Sequence, residues 1–280
     1  MAASRIDQIC QGLIAKGIDF RSKMMTNGYL FDEDMIERAK NLWHLWGLQI
    51  CVDGTEESYN RIKAFAGAKD NPYQRVMHNI GLLLEKGIAV GLRMNYDVGN
   101  YVEFENVVNE AYERFGNHKL LTVVAHPVIG EYKDMTGEIH HGDDNWFTQK
   151  EIELEKIALR KGYVRREKGL PFLNYSKCTA CNEASVTVRP DGGIVRCPQL
   201  LGDDELTGTI HEGILNREKI QDWKQFKDAE VCWDCVLYAN CNRLVRCPDS
   251  DFCHRAPAYK ARFTKAIKEI YDSITDEDKQ

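Results

Sequence analysis

The sequence predicts an α/β protein in two parts: a partial (β/α) barrel, then a small cysteine-rich α+β domain. Three observations carry that prediction. Residues 1–165 repeat one phrase, an amphipathic helix followed by a glycine and a short apolar strand. The phrase breaks around 165–177, where Gly169 and Pro171 end the last helix. Eight of the ten cysteines then lie at or beyond Cys178. The parts are drawn at 1–168 and 169–280.

The chain opens on a helix, "RIDQICQGLIAKG", and a first strand is expected at 23–27. In "DEDMIERAKNLWHLWG", residues 32–47, Met35, Ile36, Ala39, Leu42, Trp43 and Trp46 recur at helical spacing, so all six are expected on the buried face. Asp32 and Asp34 suit its first turn and Gly47 its end. "LQICVDG" supplies a strand at 48–53. The next helix, "PYQRVMHNIGLLLEKG", turns Val76, Ile80, Leu83 and Leu84 inward and stops at Gly87. "IAVGLRMNYD" supplies the strand at 88–95. "YVEFENVVNEAYERFG" aligns Phe104, Val107, Val108, Ala111 and Phe115, and "KLLTVVAHPV" supplies the strand at 119–126. "TQKEIELEKIALRKG" is the last helix of the series. Strands alternating with helices imply parallel βαβ units with right-handed crossovers. A parallel sheet needs helices on both faces and no bare edge. Four strands entered in mid-phrase therefore read as the later part of a larger barrel or sheet.

Beyond Cys178 long periodic runs are scarce. "ASVTVRPDGGIVRC" reads as a hairpin: Ser185–Val188 alternates, "PDGG" turns and Ile194–Cys197 returns. "APAYKARFTKAIKEIYDSI" reads as a closing helix. A domain with so little core is expected to be held by thiolate sites.

The net charge of −6 argues against a general nucleic-acid binder, which needs a basic surface. No apolar run approaches the roughly 18 residues of a membrane span. The N-terminus "MAASRIDQICQGLIAKG" lacks the apolar stretch of a secretory signal, so a cytoplasmic location with reduced thiols is expected. That setting disfavours disulfides. Close C-x2-C pairs are instead good chelates, because one turn faces both thiolates to one ion.

Eight cysteines make two four-thiolate sites: Cys178, Cys181, Cys197, Cys232, Cys235, Cys241, Cys247 and Cys253. All-sulfur tetrahedral sites hold zinc or iron–sulfur clusters, and spacing alone leaves both open. Cys197-Pro198 and Cys247-Pro248 share the Cys-Pro step of a bacterial ferredoxin ligand run, which favours clusters. The later spacings of two, five, five and five are also looser than paired zinc knuckles.

The ensemble "CTACNEASVTVRPDGGIVRCP", "TGTIHEGI" and "CWDCVLYANCNRLVRCP" with a final cysteine resembles the SPASM domain, the auxiliary-cluster domain of radical SAM peptide- and protein-modifying enzymes. The resemblance covers 178–258. It implies one [4Fe-4S] cluster on Cys178, Cys181, Cys197 and Cys247, and a second on Cys232, Cys235, Cys241 and Cys253. The family usually places three residues between the third and fourth cysteines of the later run. This chain has five, "NRLVR", between Cys241 and Cys247. Interleaved ligation ties distant segments together, so metal binding is also folding energy.

Residues 1–130 resemble a radical SAM barrel. "MMTNGYLFDEDMI" is similar to that family's "TNG" strand, "LQICVDGTEESYNRIKAF" to its "S-x-DG" strand with Cys51 in place of serine, and "GIAVGLRMNYDVGN" to its "R-x-N" strand. The resemblance implies S-adenosylmethionine, in a full-length form only, at the C-terminal strand ends, contacted by Thr26, Asn27, Asp53, Arg93 and Asn95. Ala125 and His126 stand at the fourth such end. The C-x3-C-x2-C loop and "GGE" strand that start the radical are missing from these 280 residues. The sequence therefore reads as the C-terminal portion of a radical SAM enzyme or as a partial-barrel companion, with clusters serving electron transfer or substrate binding. The implied partners are a peptide or protein substrate and a reductant such as flavodoxin or ferredoxin, with no nucleic acid and no membrane. The alternatives are a four-cysteine zinc interaction module and a non-catalytic electron-relay partner.

Other conspicuous residues carry plainer readings. "HHGDD", residues 140–144, reads as a solvated loop, and His126 as a hydrogen-bonded structural histidine. Arg160, Lys161, Arg165, Arg166 and Lys168 complement a helix C-terminus. Cys51 reads as a small buried hydrophobe.

Overall fold

The computed structural model describes residues 2–65, 70–128, 131–133, 139–141, 144–163, 178–182, 184–225 and 264. The chain forms two compact units, Met1–Arg166 and Glu167–Gln280.

The first unit is a parallel α/β array. Its elements are α1 (Ala2–Ala15), β1 (Ser22–Thr26), α2 (Glu33–Asn41), β2 (Leu45–Cys51), α3 (Glu56–Lys63), α4 (Pro72–Glu85), β3 (Ala89–Tyr96), α5 (Phe104–Phe115), β4 (Leu121–Pro127), β5 (Glu131–Lys133), β6 (Ile139–His141) and α6 (Asp144–Arg160). Strands β1 to β4 form one parallel sheet in chain order, and β5 pairs antiparallel with β6. The four strands expected from the sequence are all present, each shifted by a few residues at most.

One sheet face makes the core. Leu48, Ile50, Val90, Leu92, Met94 and Val123 pack with Ile36, Val76, Ile80, Leu83, Val107 and Val108 from the helices. Strict alternation along β3 puts Gly91, Arg93 and Asn95 on the other face. Register adds Lys23, Met25, Gln49, Cys51, Thr122, Val124 and His126 to that face, all partly or fully exposed. Cys51 is thus half-buried rather than buried. None of these ten residues is acidic, although the chain carries a net charge of −6.

Helix ends follow local chemistry. The Asp32 carboxylate accepts from the Met35 N–H at 3.0 Å, and Asn71 caps α4 ahead of Pro72 by accepting from Gln74 N–H at 3.3 Å. Gly87 and Gly116, just past α4 and α5, take left-handed backbone at φ 77° and 58°.

The helix expected over 32–47 stops at Asn41, and Gly47 lies inside β2 instead of ending a helix. His44 takes φ 48°, and the pairing of β1 with β2 skips from Ser22↔Leu45 to Lys23↔Gly47. Trp46 is the extra residue of that bulge, which turns its ring out of the core. It is 45% exposed, under the charges of Arg21 at 5.3 Å and Lys23 at 5.6 Å. Trp43 stays buried, and its indole N–H donates to Asp7 at 2.7 Å. Helix α3 is an addition the periodicity did not announce. His140 and His141 lie in β6 and Asp144 begins α6, so that stretch is not simply a loop. Past α6, Lys161 lies over the Tyr112 ring at 4.8 Å; Arg165, Arg166 and Lys168 lie outside the described residues.

The second unit contains a four-stranded antiparallel meander, β7 (Thr187–Val188), β8 (Gly193–Val195), β9 (Gly208–Thr209) and β10 (Gly213–Ile214), followed by α7 (Arg217–Asp222). The β7–β8 hairpin is the one read from "RPDGG". Gly192 N–H donates to Arg189 O at 3.0 Å, and Gly192 takes φ 90°, a conformation glycine adopts without a Cβ penalty. Cys232, Cys235, Cys241, Cys247, Cys253 and, Thr264 apart, the closing helix lie outside the described residues. Among the described residues no helix is long and apolar enough to cross a membrane.

Candidate cofactor and metal sites

The C-terminal strand ends of the first unit carry a connected polar network. Asp53 follows β2 directly and is 7% exposed. One of its oxygens accepts from the Asn95 backbone N–H at 2.9 Å and from the Asn95 side-chain amide at 3.0 Å. The other accepts from the Lys63 ammonium at 2.6 Å. Asn95 in turn accepts from Arg93 Nε at 2.9 Å. Three of the five residues singled out in the sequence, Asp53, Arg93 and Asn95, are therefore joined. The chain Lys63–Asp53–Asn95 fixes Arg93 Nε, so the guanidinium is presented on the open sheet face.

Thr26 and Asn27 stand at the end of β1. Among the described residues they bond within their own turn: Thr26 Oγ1 accepts from Gly28 N–H and Asn27 Oδ1 from Tyr29 N–H, each at 3.2 Å. Buried Asn79 secures that turn by donating to the carbonyls of Gly28 at 2.9 Å and Tyr29 at 3.2 Å. Thr26 and Asn27 are thus neighbours of the Asp53 network in the sheet, without a direct bond to it.

A second carboxylate organises the loop after β2. Glu103 accepts from Thr55 N–H at 2.7 Å, Thr55 Oγ1 at 2.8 Å and Ser58 Oγ at 2.6 Å. Burial pushes its carboxyl up, but the hydrogen bonds from Ser58 and Thr55 and the charge of Arg61 outweigh that, so it titrates below the ordinary glutamate range. Gly54 lies between the two carboxylates with φ 124°, and a Cβ there would stand 2.7 Å from Glu103 Oε2. Tyr59 is fully buried behind them, and its hydroxyl has no hydrogen-bond partner among the described residues. Burial, then the charges of Asp53 and Cys51, hold that phenol neutral far above its ordinary range.

Lys63 and Glu103 were not picked out in the sequence. Lys63 had a faint signal, a basic residue in the last turn of a helix opening just after Asp53. Glu103 had none, because its partners lie 45 and 48 residues away.

The second unit gathers three of the expected metal ligands. Cys178 and Cys181 lie on one tight turn, with Cys181 N–H donating to Cys178 O at 2.9 Å. Cys197, at the end of the returning hairpin strand, packs with Ala180 and Trp223, and Cys178, Cys181 and Leu200 pack against that cluster. Buried Arg196 holds the turn. Its Nε and Nη2 donate to Ala180 O at 3.1 and 2.8 Å, Nη2 also donates to Asn182 O, and Nη1 donates to Ser185 O. The three donors are all thiols grouped about one small apolar cluster, and thiolate is the ligand chemistry that an iron–sulfur group takes. No three Cys, His, Asp or Glu side chains converge on a single ion among the described residues.

No protein-family model and no curated protein matches the chain. Solved structures do. One is native anSMEcpe with bound AdoMet and Cp18Cys peptide: TM-score 0.61, 17% identity, 96% of this chain and 82% of that chain. A second is native anSMEcpe with bound AdoMet, at TM-score 0.60 and 17% identity, covering 95% of this chain and 80% of that one. SuiB of Streptococcus suis bound to its precursor peptide SuiA matches at TM-score 0.53 and 13% identity, over 84% of this chain and 56% of SuiB. A parallel sheet with its polar network at the C-terminal strand ends thus sits within a fold common to these proteins, and the chain shares the fold of anSMEcpe and SuiB.

Proposed function

We propose that the chain is the cluster-bearing portion of a radical SAM system that modifies a peptide or protein. Residues 1–168 form a partial barrel whose strand ends would contact S-adenosylmethionine, in a full-length form only, through Thr26, Asn27, Asp53, Arg93 and Asn95. Residues 169–280 form a SPASM-like domain whose eight cysteines hold two [4Fe-4S] clusters. The observation that carries this reading is the Lys63–Asp53–Asn95–Arg93 network at the C-terminal strand ends. It lies in a fold shared with anSMEcpe, solved with AdoMet and Cp18Cys peptide, and with SuiB, solved with the precursor peptide SuiA. The grouping of Cys178, Cys181 and Cys197 about one apolar cluster supports the second half.

Auxiliary clusters supply electron transfer or substrate binding when present. This chain's own residues orient and desolvate: Asp53 fixes Asn95 and Lys63, Asn95 aims Arg93, and Glu103 steadies the loop between them. Without C-x3-C-x2-C, the 280-residue polypeptide does not cleave S-adenosylmethionine alone. Reduced protein incubated anaerobically with S-adenosylmethionine should release no 5′-deoxyadenosine above blank, and turnover would overturn that point.

The deciding experiment is iron, acid-labile sulfide and zinc on protein purified without oxygen. About eight irons and eight sulfides per chain are expected for two four-iron clusters. About two zincs and no sulfide would mean structural four-cysteine sites and an interaction module instead.

A further inference from the structure

We infer that Arg196 is a positioning residue for the thiolate pocket, one that both shapes the Cys178–Cys181 turn and sets the charge balance of the centre bound there. The inference rests on the proposal that Cys178, Cys181 and Cys197 ligate a cluster.

The observations are local. Arg196 is 2% exposed, immediately precedes Cys197, and spans from the hairpin to the turn that carries the other two cysteines. Among the described residues, its fork reaches the carbonyls of Ala180, Asn182 and Ser185. Ala180 lies between the two turn cysteines, and Asn182 follows the second. A lysine, with one point of charge, cannot hold three carbonyls in this planar fork. The clamp also supplies a donor to the carbonyl of Ala180, the buried residue of that turn.

The charge has a consequence of its own. A buried guanidinium stays protonated and is stabilised by negative charge nearby. Three thiolates and a fourth on one cluster are net anionic, and a further electron adds one negative charge. A cation beside them favours the reduced state and raises the potential, one of the levers that charge and hydrogen bonding exert on such centres.

The test compares wild type with Arg196→Lys and Arg196→Gln, all reconstituted with iron and sulfide without oxygen. Readouts are iron and sulfide per chain and the midpoint potentials by EPR-monitored titration. Arg196→Gln should lower the potential of one cluster by about 59 mV or more, a tenfold loss in reduced-to-oxidised ratio for one electron. Arg196→Lys keeps the charge, so it should restore most of that potential while still loading less iron than wild type. If Arg196→Gln loads fully with both potentials unchanged, the inference is overturned. If Arg196→Gln loads no cluster, Arg196→Lys decides: equal failure of both would reduce Arg196 to a folding residue and overturn its electrostatic role. If wild type itself takes up no iron and sulfide, the ligation proposal fails first, and the inference falls with it for that separate reason.

Discussion

Gly54 sits between Asp53 and Glu103 with φ 124°, and an added Cβ would meet Glu103 at 2.7 Å and Ser58 Cβ at 2.9 Å. Strain and overlap act together there, so Gly54→Ala should cost about 2–3 kcal/mol in urea denaturation. Glu103 is the sharper probe. Its folded pKa is depressed, so its contribution is fully present above the unfolded value of about 4.3 and is lost as pH falls through the folded pKa. Glu103→Gln should therefore flatten the acid limb of the stability curve below about pH 5, and cost about 1–2 kcal/mol at pH 7. A mutant curve with the wild-type slope between about pH 5 and 3 would show that another carboxylate carries it. These residues mark where sequence reading ran short. Asp53, Arg93 and Asn95 stood out by motif resemblance, whereas Lys63, Glu103 and Arg196 are defined by partners distant in the chain. A sequence shows the types present but not which buried cation meets which carbonyl.

Among the elements, long periodic segments were legible and short polar ones were not. Helix α4 buries the residues its spacing predicts, α5 buries four of its five with Phe115 half-buried, and β3 and β4 fall where apolar runs follow Gly87 and Gly116. Helix α3 escaped notice because "EESYNRIK" buries only Ser58 and Tyr59. The stretch after α2 failed in the opposite way. Its apolar residues satisfy helical spacing through Trp46, and pairing of Leu45 and Gly47 with β1 overrides that pattern. The two tryptophans should consequently separate in mutagenesis. Trp43→Ala, at 2% exposure and with its bond to Asp7 lost, should cost about 3–5 kcal/mol, while Trp46→Ala should cost less than about 1 kcal/mol. Thermal melts of the pair would check this, and equal losses would contradict the bulge.

At the scale of the molecule, the two units stand on different footings. The first has a core of aliphatic and aromatic side chains from sheet and helices. Among the described residues, the second has a small cluster in which cysteines form much of the lining. With metal bound, calorimetry should show two transitions. Removing the metal with a chelator under reducing conditions should abolish the second unit's transition and leave the first within a few degrees. Cysteine placement is the ground for expecting that division, because a chain stretch poor in periodic apolar residues needs another source of cohesion. The five proposed ligands beyond Trp223 rest on spacing and resemblance and lie outside the described residues. In the first unit, strand β1 pairs on one side only among the described residues, and its Met25 is 77% exposed on the face opposite the core. A short one-sided strand with a protruding apolar residue invites sticking to other chains at high concentration, with Lys23 as its built-in deterrent. Met25→Lys would double that deterrent. It makes β1 the natural first place to intervene when concentrated samples cloud, ahead of any change near Asp53 or the cysteines.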